Sequence, residues 1–196
     1  MASNNSQAGA LDRARQAGIP AYHVSVKTEG SEEGVSAKLL ELIDQGSLDL
    51  LVLAGYMKKV PPPVLRRLQN RIVNIHPALL PAFGGPGLYG ERVHEAVLRQ
   101  GCETTGVTIH MVNEEYDEGQ IVLQRSVPVP AGVSAEELGR LVLAQEHDSY
   151  WRVLKGFAQG KIRPTDSANP SNAVAIDPEW LKSIQALDSP TSEYSG

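Results

Sequence analysis

Two hydrophobic periods alternate along the first hundred residues, and that alternation confines the chain to a small set of folds. Residues 8–17 place Leu11, Ala14 and Ala17 at helical spacing, with Gly18 positioned to end the helix. Residues 20–26 are rich in aromatic and β-branched types and predict a strand. A second helical stripe, Val35, Leu39, Leu42 and Ile43, spans residues 32–45 and is closed by Gly46. Residues 48–54 are almost continuously apolar, the pattern of a parallel strand covered on both faces. The prolines at 61–63 precede a short helix through Arg67 and Leu68, and a strand over 71–75 stops at Pro77. A glycine-rich loop over 83–90 leads into a helix over 91–99. Strands over 105–112 and 120–129 bracket the acidic loop 113–119, with Pro128 near a strand end. Ser134 and Glu137 have capping-box spacing and open the last long helix.

Helices and strands in this order pack as an open α/β sheet, and two late strands joined by a short loop add an antiparallel portion. The predicted fold is therefore α/β: a doubly wound, mostly parallel (mixed) sheet over residues 1–162. A polar tail occupies 163–196. Pro, Ser, Asn and Asp dominate 164–172, so the tail reads as peripheral and mobile at its end. It contains one short predicted helix, with Asp177 as N-cap and Pro178 in the first turn. A doubly wound sheet normally opens with a strand and a phosphate-binding glycine loop; here the first clear element is a helix, and no G-x-G-x-x-G precedes it.

Charge and cysteine content narrow the function. Eighteen Lys and Arg against 23 Asp and Glu leave a net charge of −5, opposite to what phosphate tracking along a nucleic acid needs. The single cysteine, Cys102, forms no internal disulfide and is too few for a structural zinc site. The first residues lack a basic segment followed by an apolar one, and the longest apolar run, 50–54, is far short of the ~20 residues of a membrane span. These features point to a cytoplasmic protein acting on small molecules, with neither nucleic acid nor membrane as partner.

Asn74-Ile-His76-Pro77 carries the most chemistry. Asn74 and His76 are two apart on a predicted strand, so they share a face, and they lie at its C-terminal end, where open α/β sheets bind ligands. An amide donor beside an imidazole suits acyl transfer: one hydrogen-bonds a developing oxyanion, the other moves a proton. The same pair also serves as an ordinary strand-end cap beside a proline, and spacing alone leaves both open. Asp117, in the loop between the late strands, would stabilise an imidazolium at His76 if it approached, but Asp-x-Gly is also common turn chemistry. Glu146 interrupts the apolar stripe Leu138, Val142, Tyr150 and Leu154 of the last helix. It is either a paired boundary carboxylate or a group facing a site. His110, on the strand face opposite Val107, Ile109 and Met111, has the pattern of a satisfied structural histidine. No HExxH, His/Cys cluster or Asp-rich loop of metal-ligand spacing occurs.

Taken in order, Asn74-Ile-His-Pro-Ala-Leu-Leu-Pro81 and Asp117-Glu-Gly119 resemble the folate-dependent formyltransferases. Leu53-Ala-Gly-Tyr-Met57, Gly106-Val-Thr-Ile-His110 and Gln145-Glu-His147 are similar to the glycinamide ribonucleotide branch of that family. The resemblance implies a formyl donor, 10-formyltetrahydrofolate, an amine acceptor, glycinamide ribonucleotide, and no metal. It implies that Asn74 hydrogen-bonds the formyl oxygen, that His76 donates the proton, and that Asp117 supports His76 and holds a relay water. Met57, Lys58, Lys59 and Val60 match the folate-contacting stretch, Glu146 matches the ribonucleotide contact, and His110 falls near the site. Relatives open with a strand and phosphate loop that have no counterpart in this chain. The expected sheet therefore lacks that strand, and its open edge invites a partner, a second copy of the chain included. Two alternatives stand beside this reading: formyl transfer to another small amine such as a sugar nucleotide, and a catalytically impaired folate-binding remnant.

Overall fold

Serine caps and glycine stops set the helix boundaries in the first part of the chain. A computed structural model describes residues 1–186, in two units: residues 1–49 with 59–68, and residues 50–58 with 69 onward. In the first unit, β1 (Ala2–Ser3) runs parallel to β2 (Tyr22–His23) around helix α1 (Gly9–Gln16), which buries Leu11 and Ala14. The strand expected over 20–26 is cut to two residues. Ser25 and Thr28 form a reciprocal capping box that starts helix α2 (Val26–Glu29) and takes Val26 into the helix. Two orphan backbone donors are satisfied that way, which outweighs the β-preference of one valine. Ser31 caps α3 (Glu32–Gln45) by accepting from the Gly34 amide at 3.0 Å, and α4 (Pro62–Arg67) starts on its prolines as expected.

The second unit is built on a four-stranded sheet in the order β3 (Leu51–Leu53), β4 (Ile72–His76), β5 (Thr104–Met111), β6 (Ile121–Pro128). The β3–β4 ladder is parallel, and the β4–β5 and β5–β6 ladders are antiparallel. The fold is thus α/β with a mixed sheet. The apolar run 48–54 does not become a strand buried on both faces: only three residues pair, and Val52 stays 39% exposed. Double coverage requires neighbours on both flanks, and β3 pairs with β4 alone among the described residues.

Helix α5 (Glu91–Arg99) packs against α6 (Ala135–Ala158), and α6 lies on β5 and β6. Its start is the capping box expected from Ser134 and Glu137. Alternation along β4 and β5 sends Val73, Ile75, Ile109 and Met111 into one apolar cluster with Leu123 and Val153. The opposite face is left to Asn74, His76, Thr108 and His110. Val107, Val97, Leu138 and Val142 form a second cluster where α5 and α6 meet the sheet.

The segment after Lys161, expected as peripheral, packs into the core. β7 (Ile162–Pro164) and β8 (Val174–Ile176) form an antiparallel hairpin whose Ile162, Ala173 and Val174 join the Val73 cluster. Composition concealed this because side-chain amides do the docking. Asn70 donates to the carbonyls of Thr165 and Ser167 at 2.9 and 2.8 Å. Gln120 bonds both the amide and the carbonyl of Val174, like a neighbouring strand. The predicted short helix is present as α7 (Pro178–Gln185), capped by Asp177, and its Trp180 comes so close to α6 that a Cβ on Gly156 would stand 2.6 Å from it. The expected mobile end falls beyond residue 186, outside the described residues. No helix among the described residues is long and apolar enough to cross a membrane.

Candidate active site

The C-terminal end of β4 is where the polar face becomes a site. Asn74 lies directly opposite His110 in the β4–β5 ladder, and His76 opposite Thr108. The chain after His76 is held by Thr108, whose buried hydroxyl donates to the Ala78 carbonyl at 2.6 Å and accepts from the Leu80 amide at 3.0 Å. Gln124 of β6 donates to the same hydroxyl and to the Leu80 carbonyl. These bonds fix the loop that turns back over His76, in which the Leu80–Pro81 peptide is cis.

That loop contributes Phe83, whose carbonyl accepts a 2.8 Å hydrogen bond from His76 Nε2. A carbonyl only accepts, so Nε2 carries a proton and, in the neutral ring, Nδ1 presents its lone pair. Nδ1 faces Asp117, with Oδ2 at 3.7 Å. The other carboxylate oxygen of Asp117 lies 3.6 Å from His110 Nε2, and Oδ2 accepts from the Gly85 amide at 2.9 Å. One carboxylate therefore sits between two almost fully buried imidazoles.

Glycine makes this convergence sterically possible. A Cβ at Gly119 would collide with the Met111 carbonyl, so only glycine lets the 113–119 loop close on β5 and carry Asp117 inward. A Cβ at Gly84 would stand 2.7 Å from Leu80 Cδ2 and 3.2 Å from Asp117 Cβ. Phe83 and Asp117 themselves hold positive φ values of 57° and 58°. Left-handed conformations at non-glycine residues cost energy and gather where a side chain must be aimed. Both residues here touch His76 or face it.

His110 is the site residue that sequence reasoning undervalued. Its Nδ1 bonds the Met111 carbonyl at 3.0 Å and its Nε2 the Asn74 amide nitrogen at 3.2 Å. Burial pulls its pKa down, against the opposing pull of the Met111 carbonyl and Asp117. Strand alternation puts it on the face opposite Val107, Ile109 and Met111, but the β4–β5 register that pairs it with Asn74 is a long-range property. Thr108, Gln124 and the Phe83 carbonyl were missed for the same reason.

Glu146 is half-buried on α6, one turn before Tyr150, and burial pushes its carboxyl up to about 7. It forms no hydrogen bond or ion pair among the described residues. Tyr150 pins this part of α6 by donating to the carbonyls of Leu53, at the end of β3, and Val73, near the start of β4, at 2.7 and 3.0 Å. Met57–Val60 follows β3 as irregular chain, with Met57, Lys58 and Lys59 exposed and Val60 buried. The described residues contain no group of three or more His, Cys, Asp or Glu that could hold a metal ion. Cys102 is half-buried against the Val107 cluster, away from these groups.

An amide donor, an imidazole with one nitrogen tied to a carbonyl and a carboxylate facing the other form a set suited to acyl transfer through a tetrahedral intermediate. Known proteins agree. A model of the formyl transferase family matches residues 1–154. A chloroplastic phosphoribosylglycinamide formyltransferase of Arabidopsis thaliana is 40% identical over 171 residues, covering 87% of this chain and 59% of the relative. The phosphoribosylglycinamide formyltransferase of Escherichia coli K12 is 37% identical over 166 residues, covering 85% and 76%. The crystal structure of glycinamide ribonucleotide transformylase 1 from Symbiobacterium toebii superposes with a TM-score of 0.76 at 39% identity, over 84% of this chain and 76% of that one. The chain thus spans under two thirds of the plant relative's length and about three quarters of the bacterial ones. By the residues matched and by the identity of these relatives, the chain belongs to the formyl transferase family.

Proposed function

We propose that the protein transfers the formyl group of 10-formyltetrahydrofolate to the amine of glycinamide ribonucleotide, a step of purine biosynthesis. The observation that carries this reading is the Asp117 carboxylate held between buried His76 and His110, with Asn74 on the same strand face. The amine attacks the formyl carbon, the carbonyl oxygen takes up negative charge, and collapse of the adduct breaks the bond to the folate nitrogen. Asn74 Nδ2 donates to that oxygen, where a preorganised donor acts most strongly because the charge develops there. His76 takes up the proton that the attacking amine loses at Nδ1 and donates it to the departing folate nitrogen, so the imidazolium that forms in between lies beside Asp117. Its Nε2–H, bonded to Phe83, keeps the ring from turning.

Glu146 is assigned to the amine substrate, whose polar groups would supply the partners this carboxylate lacks. Met57, Lys58, Lys59 and Val60 are assigned to the folate. The same reading gives the protein small molecules rather than nucleic acid or a membrane as its partners, and the cytoplasm is proposed as its location; light scattering over a concentration series reads whether it forms a homo-oligomer. The direct test is a formyl-transfer assay with 10-formyltetrahydrofolate and three conditions: glycinamide ribonucleotide, an amino-sugar nucleotide, or no acceptor. Formylation of the ribonucleotide at the highest kcat/KM is expected. Preferential formylation of the sugar nucleotide, or folate binding with no transfer to either amine, would overturn the assignment.

A further inference from the structure

We infer that His110 is a positioning residue, which accepts a hydrogen bond at Nε2 and thereby fixes the direction in which the Asn74 amide presents its donor. The inference rests on the formyl-transfer reading for its kinetic arm alone.

An asparagine amide has two nearly isosteric ends, and its neighbours decide which one faces a ligand. The neighbour here is His110 Nε2, 3.2 Å from Asn74 Nδ2. What Nε2 can do follows from Nδ1, which lies 3.0 Å from the Met111 carbonyl. That carbonyl can only accept, so the ring proton sits on Nδ1 and Nε2 presents a lone pair. A lone pair accepts only from a donor, which selects the NH2 end of Asn74 and rejects its oxygen. With one N–H committed to His110, the second is left for the formyl oxygen. Were the ring to carry its proton on Nε2, the preference would reverse and Asn74 would present its oxygen to the reacting centre.

The fold keeps His110 in this state. It is 2% exposed, and burial disfavours a second proton. The charged and titratable groups that face it are Asp117, 3.6 Å from Nε2 and beyond hydrogen-bond range, and His76 on β4. The β5–β6 register slips by one residue between Ile109 and His110, so Ile109 pairs with Leu123 and His110 with Ile121, leaving Val122 without a counterpart. A bulge of this kind re-aims side chains locally, and this one falls at the residue that must meet Asn74. Direct pairing across the β4–β5 ladder then fixes the partner.

Two measurements test the inference. In protein with ¹⁵N-labelled histidine, the imidazole nitrogen shifts of His110 at pH 7 should report a neutral ring protonated at Nδ1. A ring protonated at Nε2, or an imidazolium, would overturn it, whatever the activity of the enzyme. In the assay above, Gln-sized and Asn-sized amides separate the roles. H110Q can place an acceptor oxygen near the lost Nε2, whereas H110N replaces only the Nδ1 end. The expected result is a kcat for H110Q about tenfold or more above that of H110N, with KM for both substrates within about threefold of each other, because the lost interaction acts on the transition state. Equal kcat values in the two variants would show that His110 merely fills space. Absence of transfer by the unmodified protein would refute the functional reading, and the nitrogen shifts would still decide the role of His110.

Discussion

Replacing Glu146 with glutamine should stabilise the protein in a pH-dependent way and impair it at the same time. Burial raises the Glu146 carboxyl from its ordinary 4.5 to about 7. Because the folded value lies above the unfolded one, the folded state binds the extra proton. Its contribution is fully present below pH 4.5 and is lost as pH rises through about 7. One unit corresponds to about 1.4 kcal/mol, so the full shift would cost about 3 kcal/mol once the group is ionised, reduced to about 1–2 kcal/mol by solvent reaching a half-buried side chain. Glutamine keeps the shape and never ionises. Urea unfolding of the two proteins should give nearly equal stabilities at pH 4.5, a gap that opens between 4.5 and 7, and a plateau of about 1–2 kcal/mol in favour of E146Q at pH 8. If the carboxylate accepts hydrogen bonds from the amine substrate, E146Q should also raise KM for that substrate by about tenfold, the scale of a charged hydrogen bond. A stability difference that does not change with pH, or a less stable E146Q at pH 8, would refute the reasoning.

Other perturbations probe the elements that place the site. Gly119→Ala should force the 113–119 loop away from the Met111 carbonyl and withdraw Asp117, lowering kcat by about tenfold or more with a stability loss of about 1–3 kcal/mol; steady-state kinetics and thermal unfolding read both. Ser134→Ala removes the α6 capping box and should cost about 1 kcal/mol in urea unfolding while kcat stays unchanged, since the cap lies far along the helix from Glu146. A drop in kcat without loss of stability would contradict that separation.

Much of the architecture was legible because it is local. The Ser134–Glu137 box, the helix over 32–45 and the strand leading to His76 appear where their caps and periodicities put them. The exceptions share a cause. Residues 48–54 read as a doubly covered strand because an apolar run says nothing about how many neighbours it has, and the hairpin after Lys161 was hidden because Asn70 and Gln120, distant in sequence, do the docking. The site divides along the same line. The two-residue spacing of Asn74 and His76 fits a strand-end cap as well as a site, Asp117 alone reads as turn chemistry, and only the resemblance to the formyltransferases joins the three. That Asp117 lies between two histidines depends on the β4–β5 register, the clearance at Gly119 and a bulge at His110. No single segment contains that information.

The central claim is that His76 and Asp117 work as one unit in formyl transfer, and a double-mutant cycle tests it most directly. The kcat values of His76→Ala, Asp117→Ala and the double variant are measured with glycinamide ribonucleotide and 10-formyltetrahydrofolate. Each single change should cost about 100-fold or more, and the double variant should be little slower than the worse single one, because removing either residue disables the same proton exchange at Nδ1. Losses that multiply in the double variant, or a His76→Ala protein with near-normal turnover, would contradict the account.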